Sequence, residues 1–160
     1  MKIGQRIISE NQPPFIIAEL SANHNNSLKR TLKLINEAKK AGADAIKIQT
    51  YRADTITLKS TNRDFLINDK KSLWHGQYLY ELYKKGSLPW EWHREIFETC
   101  KKKKILCFSS PFDETAVDFL NNLQVPAFKI ASFENNHVPL IEKVISKKKP
   151  IIISLGLTTL

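Results

Sequence analysis

The sequence predicts an α/β fold, about five parallel strands with intervening helices, arranged as a partial (β/α)8 TIM barrel. Three observations lead there. Short apolar stretches at residues 15–20, 45–49, 105–110, 127–130 and 151–154 alternate with segments of helical periodicity, the signature of a parallel sheet with right-handed crossovers. Each stretch delivers a polar group at or near its C-terminal end: Glu19, then Lys47 and Gln49, then Ser109 and Ser110, then Lys129 followed by Ser132 and Glu134, then Ser154. Parallel α/β folds bind ligands at that end of the strands. Finally, residues 155–160 look like a loop and the first residues of another helix, so the sequence is expected to be the N-terminal part of a barrel; an open five-stranded sheet fits the same pattern.

Taken in order, the first strand follows the Pro13-Pro14 break and leads into a polar loop containing His24. A lone histidine beside asparagines reads as a loop hydrogen-bonder, with metal ligand or substrate donor as the alternatives. Ser27 is a candidate N-cap for a helix whose Leu28, Leu32, Ile35 and Ala38 keep one face, and Gly42 fits its stop. The segment after the second strand, to about Lys71, is longer than ordinary connections and reads as a functional loop. Trp74, Tyr78, Tyr80 and Tyr83 then suit a short helix packed over the barrel mouth, or alternatively a sugar-stacking surface. Pro89 is expected in the first turn of the next helix, where Trp92, Ile96, Phe97 and Cys100 form an apolar stripe. Asp113 can cap the following helix, Pro126 marks entry to the fourth strand, and Pro139 opens a last helix before the fifth.

With 42% hydrophobic and 26% charged residues, the 160-residue chain has the balance of one soluble globular domain. It has neither a signal-peptide pattern nor an apolar run of membrane-spanning length, which places it in the cytoplasm by expectation. Cys100 and Cys107 lack C-x-x-C spacing and read as buried reduced thiols. The net charge of +9 comes largely from Lys101–Lys104 and Lys147–Lys149, both at predicted helix ends, where cations oppose the helix dipole. Without interleaved aromatics, these runs do not suggest nucleic-acid binding.

In a strand, alternate side chains face opposite ways, so Lys47 and Lys129 point away from the apolar neighbours that pack against helices. Together they form a cationic floor suited to phosphate or carboxylate, and Ser110, Ser132 and Ser154 add hydroxyl donors. Glu19 and Glu134 can handle protons or bind hydroxyls in the same mouth, or simply neutralise the lysines.

Five ordered motifs carry a resemblance: Phe15-Ile-Ile-Ala-Glu-Leu-Ser-Ala-Asn-His-Asn25, Ile46-Lys-Ile-Gln-Thr50, Phe108-Ser-Ser-Pro-Phe112, Val125-Pro-Ala-Phe-Lys-Ile-Ala-Ser-Phe-Glu134 and Pro150-Ile-Ile-Ile-Ser-Leu-Gly156. The chain resembles the phosphoenolpyruvate-condensing nonulosonic acid synthases, the family of sialic acid synthase. Its Ala-Ser-Phe-Glu stretch is most similar to the branch that makes pseudaminic acid. The resemblance implies condensation of phosphoenolpyruvate with the open-chain aldehyde of a diacetamido-trideoxy hexose, with N-acetylneuraminate or legionaminate synthesis as alternatives. A non-catalytic fragment that keeps an anion site is the reading from a different class.

The resemblance further implies that Lys47, Ser110, Lys129, Ser132 and Ser154 hold phosphoenolpyruvate, that Gln49 and Glu134 face the sugar, and that Glu19 fills the acidic position after the first strand. It implies a divalent metal, Mn2+ or Mg2+, with ligands outside these 160 residues, and a homodimer in which a C-terminal antifreeze-like domain covers the partner's active site. The remaining barrel strands and that domain are expected to be absent here, leaving these residues inactive alone. Leu155 and Leu157 depart from the family pattern, where threonine and methionine stand.

Overall fold

The structure is a computed structural model describing residues 1–156 and 158. It opens with an antiparallel hairpin, β1 (Lys2–Ile3) and β2 (Arg6–Ile7). The chain then alternates strand and helix: β3 (Ile17–Glu19), α1 (Leu28–Lys40), β4 (Ala45–Thr50), the short α2 (Ala53–Ile56), α3 (Leu79–Gly86), α4 (His93–Lys102), β5 (Leu106–Pro111), α5 (Glu114–Asn122), β6 (Phe128–Ile130), α6 (Val138–Ile145) and β7 (Ile151–Ile153). Strands β3 to β7 form one parallel sheet in sequence order, curled into a half-barrel. This is the architecture that the alternation predicts.

Local chemistry explains the element ends. The Ser27 hydroxyl accepts the Arg30 N–H at 3.2 Å and so caps α1, while the Asp113 carboxylate accepts from Thr115 N at 2.8 Å and Ala116 N at 3.1 Å at the start of α5. After α1, Gly42 takes a left-handed φ of 90°, which favours glycine and turns the chain into β4. Lys39 and Lys40 close α1, and Lys101 and Lys102 close α4, each against the negative helix end.

Two apolar clusters hold the helices on the outer face of the sheet. One joins Ile35 of α1 and Ile96 and Cys100 of α4 to Ile46, Ile48 and Cys107. The other joins Val117 and Leu120 of α5 and Leu140 and Val144 of α6 to Phe128 and Ile130. Phe97 packs against both, which makes the helical layer continuous. Cys100 and Cys107 are buried and free, as expected, and burial pushes the Cys107 thiol well above its ordinary range.

Three sequence expectations need adjustment. The hairpin was not foreseen, because two-residue strands carry no periodicity to read. It packs at the N-terminal end of the sheet: Ile3 is fully buried, and a Cβ on Gly4 would stand 2.7 Å from Leu106. The segment to Lys71 is not one structureless loop, since it holds α2 and a 3-10 turn at Arg63–Phe65. Pro89 precedes a separate 3-10 turn, Trp90–Trp92, rather than lying within α4. Among the described residues, no helix is long and apolar enough to cross a membrane.

Candidate active site

Parallel register sorts the polar groups. Glu19 pairs with Lys47, Lys47 with Phe108, and Gln49 with Ser110, so these side chains project from the concave face opposite the helices. Ser109 pairs with Phe128, which leaves Lys129 on the concave face beside the Ser110 level. Glu19, Lys47, Gln49, Ser110 and Lys129 therefore share one face, joined by Ser154 through its contact with Lys129, whereas Ser109 points to the helix side, where its hydroxyl bonds Thr50 Oγ1.

The two lysines differ in their surroundings. Lys47 forms an ion pair with Glu19 Oε2. Glu19 Oε1 in turn accepts from Ser21 N at 3.2 Å and from the Ser21 hydroxyl at 3.0 Å, so both oxygens of this carboxylate are engaged. Among the described residues, Lys129 has no carboxylate within salt-bridge distance; its Nζ donates to the Ser154 hydroxyl at 2.5 Å and to the Ile130 carbonyl at 2.6 Å. Burial, and then the nearby Lys47 charge, hold the Lys129 ammonium below its usual pKa. A cation so placed favours an incoming anion.

Around Lys129 stand groups with open hydrogen-bonding capacity. The Ser110 hydroxyl is fully buried and has no partner among the described residues. Glu134, in the 3-10 turn Ser132–Glu134 that follows β6, has a buried Oε2 without a partner, and burial is the main cause that raises its pKa. Buried polar atoms in folded proteins are ordinarily satisfied; these two, with Arg6 Nε and Asp113 Oδ2, are left without a partner among the described residues. Ser132 lies against Gly156, where an added Cβ would come 2.9 Å from the Ser132 hydroxyl. Gln49 is half-buried at its register position beside Ser110.

One residue escaped the sequence reading. Asn135 donates from Nδ2 to the carbonyls of Ser154, at 3.3 Å, and Gly156, at 3.1 Å, joining the turn after β6 to the loop after β7. Nothing in the pattern around an asparagine in a polar turn distinguishes this role. Leu155 lies in the same loop and is 57% exposed, while Leu157 lies outside the described residues.

The buried histidines are structural. His24 Nδ1 accepts from Asn26 N at 3.1 Å, and its Nε2 bonds the Gly86 carbonyl at 3.1 Å, as the loop reading expected. His93, outside the cleft, joins Nδ1 to the Pro89 carbonyl at 3.2 Å and Nε2 to Thr50 Oγ1 at 2.8 Å; Thr50 Oγ1 continues to Ser109 Oγ at 2.7 Å. Among the described residues, no group of three or more His, Cys, Asp or Glu side chains could hold a metal ion.

Two tyrosines of the aromatic stretch make contacts within the fold. Tyr83 meets Tyr51 edge to face at 6.3 Å between centroids, and the Tyr80 hydroxyl bonds Asp54 at 2.7 Å, tying α3 to α2. Trp74 remains 52% exposed.

Comparison with known proteins places this geometry. The chain is 51% identical over 159 residues to the pseudaminic acid synthase of Campylobacter jejuni, covering 99% of this chain and 45% of that protein. It is 47% identical over 148 residues to the pseudaminic acid synthase of Helicobacter pylori, covering 92% of this chain and 43% of that one. Among solved structures, an N-acetylneuraminic acid synthetase from Leptospira borgpetersenii in complex with citrate superposes with a TM-score of 0.83 at 29% identity, covering 99% of this chain and 50% of that chain. The chain thus spans about half the length or less of these relatives. Residues 34–160, from within α1 onward, match the NeuB family, and the chain belongs to that family.

Proposed function

We propose that the chain supplies the phosphoenolpyruvate-binding part of a pseudaminic acid synthase. The observation that carries this reading is Lys129, an ammonium without an ion-pair partner among the described residues, on the same concave face as the Ser110 hydroxyl, in a half-barrel whose sequence is about half identical to two pseudaminic acid synthases. Phosphoenolpyruvate carries two anionic groups, and Lys47, Lys129, Ser110, Ser132 and Ser154 supply charge and hydroxyl donors for them.

In this reading the enol methylene attacks the aldehyde carbon of the open-chain diacetamido-trideoxy hexose, forming the new C–C bond while the aldehyde oxygen takes a proton. Water adds at the enol carbon that bears the phosphate ester. The adduct then releases phosphate by C–O cleavage and leaves a ketone. Glu134, whose pKa burial raises, is suited to give the proton to the aldehyde oxygen. Glu19 fixes the Lys47 ammonium, and Gln49 offers its amide to the sugar. No step is assigned to a metal, whose ligands we place outside the described residues together with the homodimer contacts.

The test is turnover of the full-length protein that contains this chain. Phosphate release is followed with phosphoenolpyruvate, a divalent metal salt, and the sugar precursors of pseudaminic, legionaminic and N-acetylneuraminic acid in separate assays. The pseudaminic precursor is expected to give the highest kcat/KM; preference for either of the others would reassign the acceptor.

A further inference from the structure

We infer that Asn135 is a positioning residue for the anion site, holding the Ser154 hydroxyl against Lys129 through the backbone on either side of Leu155. The inference rests on the phosphoenolpyruvate reading above and adds a residue to it. Its geometry is a closed set of contacts. Ser154 N donates to the Ile130 carbonyl at 3.1 Å, and that same oxygen accepts from Lys129 Nζ at 2.6 Å. The Ser154 carbonyl and the Gly156 carbonyl both accept from the Asn135 side-chain amide, at 3.3 and 3.1 Å. With its N–H and its C=O both fixed, Ser154 has only its side chain left to orient, and its hydroxyl sits 2.5 Å from Lys129 Nζ.

The loop needs such a clamp. Strand β7 ends at Ile153, so the ladder to β6 gives Ser154 its N–H contact and then stops. Beyond it, Leu155 is exposed and contributes no apolar anchor. The two carbonyls taken by Asn135 flank that leucine, whose own carbonyl accepts from the Thr158 hydroxyl at 2.9 Å, so a single planar amide fixes the direction of the chain on both sides of it. The same clamp seats Gly156 against the Ser132 hydroxyl, within the space a methyl would need. Two of the hydroxyls assigned to the anion thus depend on one side chain that touches neither the anion nor Lys129.

The experiment compares wild-type full-length protein with Asn135→Ala, Asn135→Asp and Asn135→Gln, measuring phosphoenolpyruvate affinity by titration, KM for each substrate, kcat and Tm. Loss of the clamp in Asn135→Ala is expected to raise the Kd and KM for phosphoenolpyruvate about tenfold, the scale of one well-made hydrogen bond. The sugar KM, and kcat at saturating phosphoenolpyruvate, should stay within about twofold. Asn135→Asp keeps the shape without the N–H donors and should be no better than alanine, whereas Asn135→Gln keeps the amide and should recover part of the affinity. Wild-type affinity in Asn135→Ala overturns the inference while leaving the phosphoenolpyruvate reading intact. A parallel fall in Tm, kcat and both affinities would also overturn it, reducing Asn135 to general support. Failure of the wild-type protein to bind phosphoenolpyruvate overturns the underlying reading itself.

Discussion

Glu19 and Lys47 occupy paired register positions on β3 and β4 and form an ion pair, which leaves Lys129 as the cation of the cleft without a carboxylate partner. Lys129→Ala is therefore expected to weaken phosphoenolpyruvate binding to the full-length protein by about 1.5–3 kcal/mol, the range for a charge-assisted contact. Titration of the purified variant checks this, and an unchanged Kd would remove Lys129 from the anion site.

Ser110 offers a separation of stability from function. Its buried hydroxyl is unpartnered, so Ser110→Ala relieves a desolvated polar group and is expected to leave stability unchanged or raise it by up to about 1 kcal/mol. The same change should weaken phosphoenolpyruvate binding. Denaturant midpoints and titrations on one preparation compare the two effects, and a stability loss above about 1 kcal/mol would show that the hydroxyl has a structural partner.

Glu134→Gln removes a proton donor while keeping shape, so turnover should fall and phosphoenolpyruvate affinity should hold. Burial raises the Glu134 pKa, so the wild-type carboxyl binds more protons folded than unfolded. That contribution to stability is present at low pH and is lost as pH rises through the raised value, and the glutamine variant should lack it. Collapse of phosphoenolpyruvate binding in Glu134→Gln would recast the residue as a counter-charge for Lys129.

His93 acts in the opposite direction. Burial lowers its pKa from 6.5 to about 4, so the unfolded chain binds the proton that the folded one refuses. Stability is complete above pH 6.5 and is lost as pH falls toward 4, by up to about 3 kcal/mol from this group. His93→Gln should be less stable at pH 7 yet show a flatter acid limb. Equal acid slopes in urea unfolding of the two proteins would locate the proton uptake elsewhere.

Gly156→Ala tests the contact with Ser132. The new methyl would stand 2.9 Å from the Ser132 hydroxyl and 3.3 Å from its Cβ, so the serine must turn away or the loop must shift. Either response should weaken phosphoenolpyruvate binding several-fold, on the scale of one displaced hydrogen bond. Adding Ser132→Ala to Gly156→Ala should cost little beyond the single change, because both act on one group. Full additivity in that double-mutant cycle would count against the contact.

The fold was legible because its signals were repeated. Ile46 and Ile48 alternate with Lys47 and Gln49, and Phe128 and Ile130 flank Lys129, so the apolar face and the polar face could be read from each strand separately. Ser27 and Asp113 marked the starts of α1 and α5 through capping chemistry. What stayed hidden depends on contacts distant in sequence. The β1–β2 hairpin owes its place to Gly4 meeting Leu106, and Asn135 owes its role to carbonyls on another loop. Likewise, Thr50, His93 and Ser109 form a chain of hydrogen bonds across three elements that no spacing rule connects. The direction of Lys47 could be predicted, but its ion pair with Glu19 required the register.

Lys129 enters any encounter with an anion already committed. An ammonium has three N–H bonds, and two of them point at the Ser154 hydroxyl and the Ile130 carbonyl. Tetrahedral geometry then fixes the direction of the third. A free lysine would surrender about 2 kcal/mol of rotamer entropy on gripping a ligand. Here that loss is incurred when the chain folds, so the ligand meets one aimed proton and gives up no lysine mobility on arrival.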